Sequence, residues 1–268
     1  MKTLAIANQK GGVGKTTVAR NLMFWAVERG LRTLAVDLDP QRNFTKTLLS
    51  LRERNLDLEA VPEPQALATH LFASDQDPVP MDCGQGAALI AATRDLVDVA
   101  AMPLEALHEP RAALGRLAEG FDLCILDTAP TLGSPLYAAL IAADCVLCPC
   151  TVDQDATDGL QDLMSDIARV QQLGWNPSLK LLGVLANNVN RRRAFDMQGL
   201  TALKDALPQL MLSNTLFERA ATKYAKDHGV WQSLRGESTS RAAVEMKAAC
   251  KEIMDKMGVP YGRKRRIK

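Results

Sequence analysis

Gln9-Lys10-Gly11-Gly12-Val13-Gly14-Lys15-Thr16-Thr17 follows a short apolar run, Thr3 to Ala7, and precedes a helical pattern that begins near Lys15. Strand, glycine loop and helix start are the context a phosphate-binding loop needs. Glycines let the backbone turn its N–H groups inward and approach a phosphate closely. The helix start adds unpaired N–H donors and a positive dipole end. Lys15 would place a point charge on the β- and γ-phosphates, and the Thr16 hydroxyl would ligate a Mg²⁺ ion that bridges them. The stretch departs from the strict pattern G-x-x-x-x-G-K-[ST] in having Gln9 where that pattern has a glycine, and in carrying an extra lysine, Lys10.

Outward from this loop the chain alternates strand and helix patterns. Thr16 to Arg29 reads as a helix with Val18, Leu22, Trp25 and Ala26 on one side. Thr33–Val36 is a short apolar strand that ends in Asp37-Leu38-Asp39-Pro40-Gln41-Arg42-Asn43, with two carboxylates at i and i+2. Ligands in open α/β sheets bind at that carboxyl edge. Residues 52–86, punctuated by four prolines, are the least legible, with a short helical segment near Gln65–Phe72. Further strands are expected at Ala87–Ala92, Phe121–Asp127, Cys145–Cys150 and Leu181–Ala186, and helices at Leu104–Glu119, Ala156–Leu173, Ala194–Leu207, Leu216–Lys226 and Thr239–Met257. Phe121–Asp127 is an apolar strand ending in an acid, the Walker B form, whose aspartate holds Mg²⁺ or its water. Thr128–Gly133 then reads as a mobile loop beside the γ-phosphate. The expected fold is α/β: a doubly wound, mostly parallel sheet with helices on both faces. One domain built on the phosphate loop would cover residues 1–257, with 258–268 a short basic tail.

Composition bounds the partners. The 268 residues are 47% hydrophobic and 24% charged, as in ordinary soluble globules. No apolar run approaches 18 residues and the N-terminus enters a strand directly, so the reading is cytoplasmic with no membrane partner. Net charge is only +1, yet residues 191–268 hold 17 Lys and Arg against 8 Asp and Glu, while the first 190 are acidic. A basic final third suggests a polyanion-binding face. The C-x-x-C spacing of Cys145 and Cys148 lies in an apolar run without a second such pair or a histidine pair, so the cysteines read as core residues. Asn187 to Asn190, at a strand end, could read a purine edge or simply form a turn.

With Lys10–Thr17, Asp39-Pro40-Gln41 and Phe121–Pro130 in hand, the chain resembles the ParA/MinD family of deviant Walker A ATPases over residues 1 to 255, and its ParA branch in particular. The resemblance implies ATP and Mg²⁺ as cofactors and an ATP-dependent homodimer, with Lys10 reaching across the interface to the partner's nucleotide. It implies that Gly11, Gly12, Val13 and Gly14 wrap the phosphates, that Lys15, Thr16 and Thr17 hold phosphates and metal, that Asp39 activates the attacking water, and that Asp127 supports the metal. Asn187 falls in the family's adenine-contacting region. The family has glycine where this chain has Arg42, which puts the local loop geometry in question.

The same resemblance implies non-specific DNA binding, association with the nucleoid, and a ParB-like or small adaptor protein as partner. Candidate phosphate contacts are Arg191, Arg192, Arg193, Arg219, Lys223, Lys226 and the tail residues Arg263, Lys264, Arg265 and Arg266. Two alternatives are positioning of a protein cargo and an ATP-dependent dimerisation switch that never touches DNA. A membrane-anchoring terminal helix is disfavoured by Gly258, Pro260 and Gly262, and a cluster-binding relative by the lack of cysteine between Thr128 and Asp144.

Overall fold

The computed structural model describes residues 1–56, 65–73, 78–131, 133–153, 156–232 and 240–262. Strand β1 (Lys2–Ile6) leads through the glycine loop into α1 (Lys15–Val27), then β2 (Thr33–Leu38) and α2 (Asn43–Leu56). β3 (Met81–Gly84) and β4 (Ala87–Ile90) form a hairpin, followed by 3₁₀ turns, α3 (Glu109–Arg116) and β5 (Leu123–Thr128). Then come α4 (Ser134–Ala142), β6 (Cys145–Cys150), α5 (Ala156–Gln172), β7 (Lys180–Ala186), α6 (Ala194–Ala206), α7 (Ala220–Tyr224) and α8 (Arg241–Met257).

The seven strands form one sheet in the order β3-β4-β2-β5-β1-β6-β7. Every pairing is parallel except β3 with β4. Alternate side chains of each strand feed opposite faces. Leu4 and Ile6 of β1 pack with α1, α2 and α8 on one face, while Ala5 and Ala7 pack with the cluster that holds α3 to α6 on the other. Both faces being covered explains why the central strands read as continuous apolar runs. α8 starts at Ser240, whose Oγ accepts the Ala243 N–H at 3.2 Å, and stops at Gly258 in the left-handed region; a cap of this kind contributes about 1 kcal/mol.

The doubly wound α/β expectation holds, and the differences are local. α2 was not foreseen, although Phe44, Leu48 and Leu51 bury one stripe of it. α4 likewise lies where no helix was expected; the loop expected over Thr128–Gly133 includes residue 132, which is outside the described residues. Leu104–Glu119 divides into 3₁₀ turns flanking α3. The helix expected over Leu216–Lys226 shrinks to α7 because the preceding chain runs along the edge of β7. Leu216 N–H donates to Ala186 O and Glu218 N–H to Val189 O, so these donors serve an extended pairing. All six cysteines are buried and unbridged, and no cluster of metal-ligating side chains exists among the described residues. None of the described helices is long and apolar enough to cross a membrane. The tail positions Arg263, Lys264, Arg265 and Arg266 lie outside the described residues.

Candidate nucleotide site and basic face

Parallel register brings the two acidic strand ends together. On adjacent strands Asp37 of β2 stands opposite Asp127 of β5, and Asp127 stands opposite Ile6 of β1, three residues before the loop begins at Gln9. The loop itself needs its glycines: Gly12 and Gly14 have φ of 75° and 90°. A Cβ on Gly14 would sit 2.2 Å from Asn187 Nδ2. Gly14 then serves as the N-cap of α1 with no side-chain cap, and the first turn of that helix carries no acid. Its free N–H groups and dipole are left to an anion.

Lys15 is buried and donates to Asn8 O at 2.8 Å and Lys10 O at 3.2 Å. Burial holds its pKa below the usual lysine value, opposed by the charges of Asp127 and Asp39. Thr16 and Thr17 are half-buried on the next positions. Asp127 is fully buried, and among the described residues neither carboxylate oxygen has a hydrogen-bond donor. Burial, then the charge of Asp37, push it well above the usual carboxylate range, while the nearby Thr16 hydroxyl favours the charged form without closing a hydrogen bond. A buried carboxylate with no donor, next to a threonine hydroxyl at a helix start, fits a divalent cation with oxygen ligands.

Asp39 is almost buried at the mouth of β2 and accepts the Gln41 N–H at 2.9 Å. Arg42 closes the same turn by donating its N–H to Asp39 O. Its φ of 62° is left-handed, so this chain keeps the glycine-like backbone there with a long side chain in place. Asp37, noted in sequence but given no role, is a structural anchor. It accepts Thr45 N–H at 2.7 Å, Thr45 Oγ1–H at 2.8 Å and Asp39 N–H at 3.0 Å. Burial still pushes its pKa up to about 6. Thr45 Oγ1 accepts the Ala92 N–H in turn, so the start of α2 and the Asp39 turn are tied to the sheet.

Three further side chains that sequence reasoning missed shape the loop. Asn8 accepts the Lys10 N–H at 2.9 Å and donates to Pro149 O at 2.9 Å, joining the loop to β6. Asp166 of α5 accepts from Gln9 Nε2 and from Tyr137 OH, each at 2.7 Å. Asp153 lies 2.5 Å from Lys10 Nζ at the rim. None of these three partnerships has a local signal, since each acid or carbonyl lies more than 120 residues from its partner in the loop. Asn187 donates its amide to Val13 O at 2.7 Å and is nearly buried beneath the loop, while Asn188, with φ of 58°, faces the adjoining cleft.

That cleft of about 310 Å³ is lined by Gly12, Gly14, Thr17, Phe217, Arg219 and Glu245 among others. Of the basic candidates, Arg219, Lys223 and Lys226 line it, and Arg191, Arg192 and Arg219 line the neighbouring surface hollow. Arg191 stacks over the Phe217 ring at 3.6 Å. Arg219 pairs with Glu245 at 2.8 Å and Lys223 with Glu218 at 2.7 Å. Arg192 and Arg193 are exposed at the start of α6, and Lys226 is exposed beyond α7.

Comparison with known proteins follows this geometry. An AAA domain family model (AAA_31) matches residues 1–181. The chain is 37% identical over 199 residues to the chromosome-partitioning ATPase Soj of Thermus thermophilus, covering 74% of each protein. It is 33% identical over 266 residues to protein IncC of Escherichia coli, covering 97% of this chain and 70% of IncC. A solved structure of cobyrinic acid a,c-diamide synthase from Mycobacterium smegmatis, with bound ADP and magnesium, superposes with a TM-score of 0.73 at 27% identity, covering 94% of this chain and 93% of that one. Loop, acidic strand ends, sheet order and these likenesses agree: the chain belongs to the ParA/MinD family of P-loop ATPases, with the partition ATPases among its relatives.

Proposed function

We propose that this chain is a Mg²⁺-dependent ATPase that closes as a homodimer around ATP, binds DNA without sequence preference in that form, and partitions a DNA element with a ParB-like partner. The observation that carries the reading is the single sheet edge holding Lys15, Thr16, Asp39 and the donorless Asp127, with a second lysine, Lys10, at its rim. Lys15 and the loop N–H groups bind the β- and γ-phosphates. Thr16 and Asp127 would hold the Mg²⁺, which would supply charge neutralisation at the phosphates when bound. Asp39, fixed by the Gln41 turn, orients the attacking water. Asn187 supports the loop through Val13 O, which sets where the base can lie. Lys10 leaves Asp153 to reach the partner's phosphates, so its contribution exists only in the closed dimer.

DNA retention supports or breaks this reading. Filter binding with a non-specific duplex should show retention with ATP and Mg²⁺, falling steeply with salt. A protein that hydrolyses ATP and dimerises yet retains no duplex at low salt would leave only the dimerisation switch, and exchange of DNA for a protein cargo would show as ATP-dependent capture of an adaptor.

A further inference from the structure

One acid belongs both to the nucleotide cleft and to the basic face. Glu245, in the first turns of α8, lines the cleft together with Gly12, Gly14 and Thr17 of the phosphate loop. Its side chain is only 16% exposed. Arg219 meets it through two nitrogens, Nη2 at 2.8 Å from Oε1 and Nε at 3.5 Å from Oε2. Arg191 Nη2 lies 3.8 Å from the same Oε1 while its guanidinium stacks on Phe217. A single carboxylate therefore gathers two of the arginines best placed to meet DNA phosphates. Glu218 plays a parallel but more exposed part, accepting from Lys223 and Asn190.

An arginine held by a half-buried carboxylate offers little net charge to a DNA phosphate, and a new anion must compete with the acid already there. A triphosphate on the loop side of the cleft adds negative charge beside Glu245, repels that carboxylate and so loosens its hold on the arginines. We infer that Glu245 is the counter-ion switch of the basic face, setting through Arg219 and Arg191 how strongly DNA binding depends on nucleotide. This rests on the proposed DNA binding and adds its regulation. The coupling needs no long pathway, because cleft wall and counter-ion are the same side chain.

Glu245→Gln keeps shape and removes the charge. Two arginines released should steepen the salt dependence of nucleotide-free duplex binding by about two in slope, at roughly 0.9 per phosphate contact. Nucleotide-free retention should rise at least about tenfold at low salt, and the ratio of affinities with and without ATP–Mg²⁺ should shrink. Glu245→Asp, which keeps the charge, should stay near wild type. Nucleotide supplies a second reading: ATP–Mg²⁺ should steepen the salt slope of wild type by about two per protomer more than that of Glu245→Gln, dimer formation being common to both. If wild type retains duplex with ATP–Mg²⁺, nucleotide steepens the slopes of wild type and Glu245→Gln equally, and the two match without nucleotide, the switch is overturned and DNA binding stands. If neither protein retains duplex under any nucleotide condition, DNA binding and the switch fall together.

Discussion

The carboxyl edge of the sheet and the basic face beside it are neighbours built on different principles. At the edge, the central groups are held by backbone: Lys15 donates to two carbonyls, Asp37 accepts the Thr45 and Asp39 N–H groups, and Gly14 takes a left-handed φ. On the basic face the cations are largely exposed, and several are paired with acids that neutralise them. The edge is preorganised for one ligand chemistry. The face carries charge whose availability depends on partners.

The largest effect separating the two regions is expected from Lys15→Ala. Removing the main cation on the phosphates should cost about 2–5 kcal/mol of ATP binding, roughly 30- to 5000-fold in affinity. Calorimetry should find no ATP binding in the micromolar range, while DNA binding that persists at the wild-type nucleotide-free level would show the face to be intact. Gly14→Ala comes next. It forces a Cβ onto Asn187 Nδ2 and strains a φ of 90°, at about 1–2 kcal/mol for the backbone alone. Thermal melting should drop and ATP affinity fall with it. Unchanged melting would mean that the Asn187 amide yields at no cost.

Lys10→Ala divides the edge itself. Its partner Asp153 is half exposed, so loss of the pair should cost under about 1 kcal/mol of stability. Dimerisation with ATP should weaken about tenfold or more, with nucleotide binding by the monomer nearly unchanged. Equal loss of both, read by sedimentation and by fluorescence of a labelled nucleotide, would argue against a contact across the interface. The smallest effect is expected at Arg42→Gly, which should raise stability by at most about 1 kcal/mol by relieving a left-handed φ, against glycine's extra chain entropy. A loss of stability would show instead that the arginine side chain holds the turn.

The same contrast explains what was legible in sequence. The loop, both acidic strand ends and the parallel sheet announce themselves, because strand–glycine–helix and apolar-run–acid are local patterns that backbone geometry demands. Asn8, Asp166 and Asp153 do not, because each acts through a partner far along the chain. Lys10 could be singled out by resemblance, but its ion pair with Asp153 could not. On the basic side, charge counting located the excess of Lys and Arg in residues 191–268. It could not find Glu245, an ordinary acid in a helical pattern until the fold sets Arg219 and Arg191 against it. The foreshortened α7 has the same cause: the helix expected over 216–226 loses its first residues to pairing along the edge of β7.

The central claim is that ATP occupancy is reported as dimer formation and reset by hydrolysis through Asp39. Size-exclusion chromatography of Asp39→Ala with ATP and Mg²⁺, alongside phosphate release, tests it most directly. The account predicts a long-lived dimer that binds ATP and turns it over at least about a hundredfold more slowly than wild type, the usual worth of a positioned general base. A monomeric Asp39→Ala protein that hydrolyses ATP at the wild-type rate would contradict it.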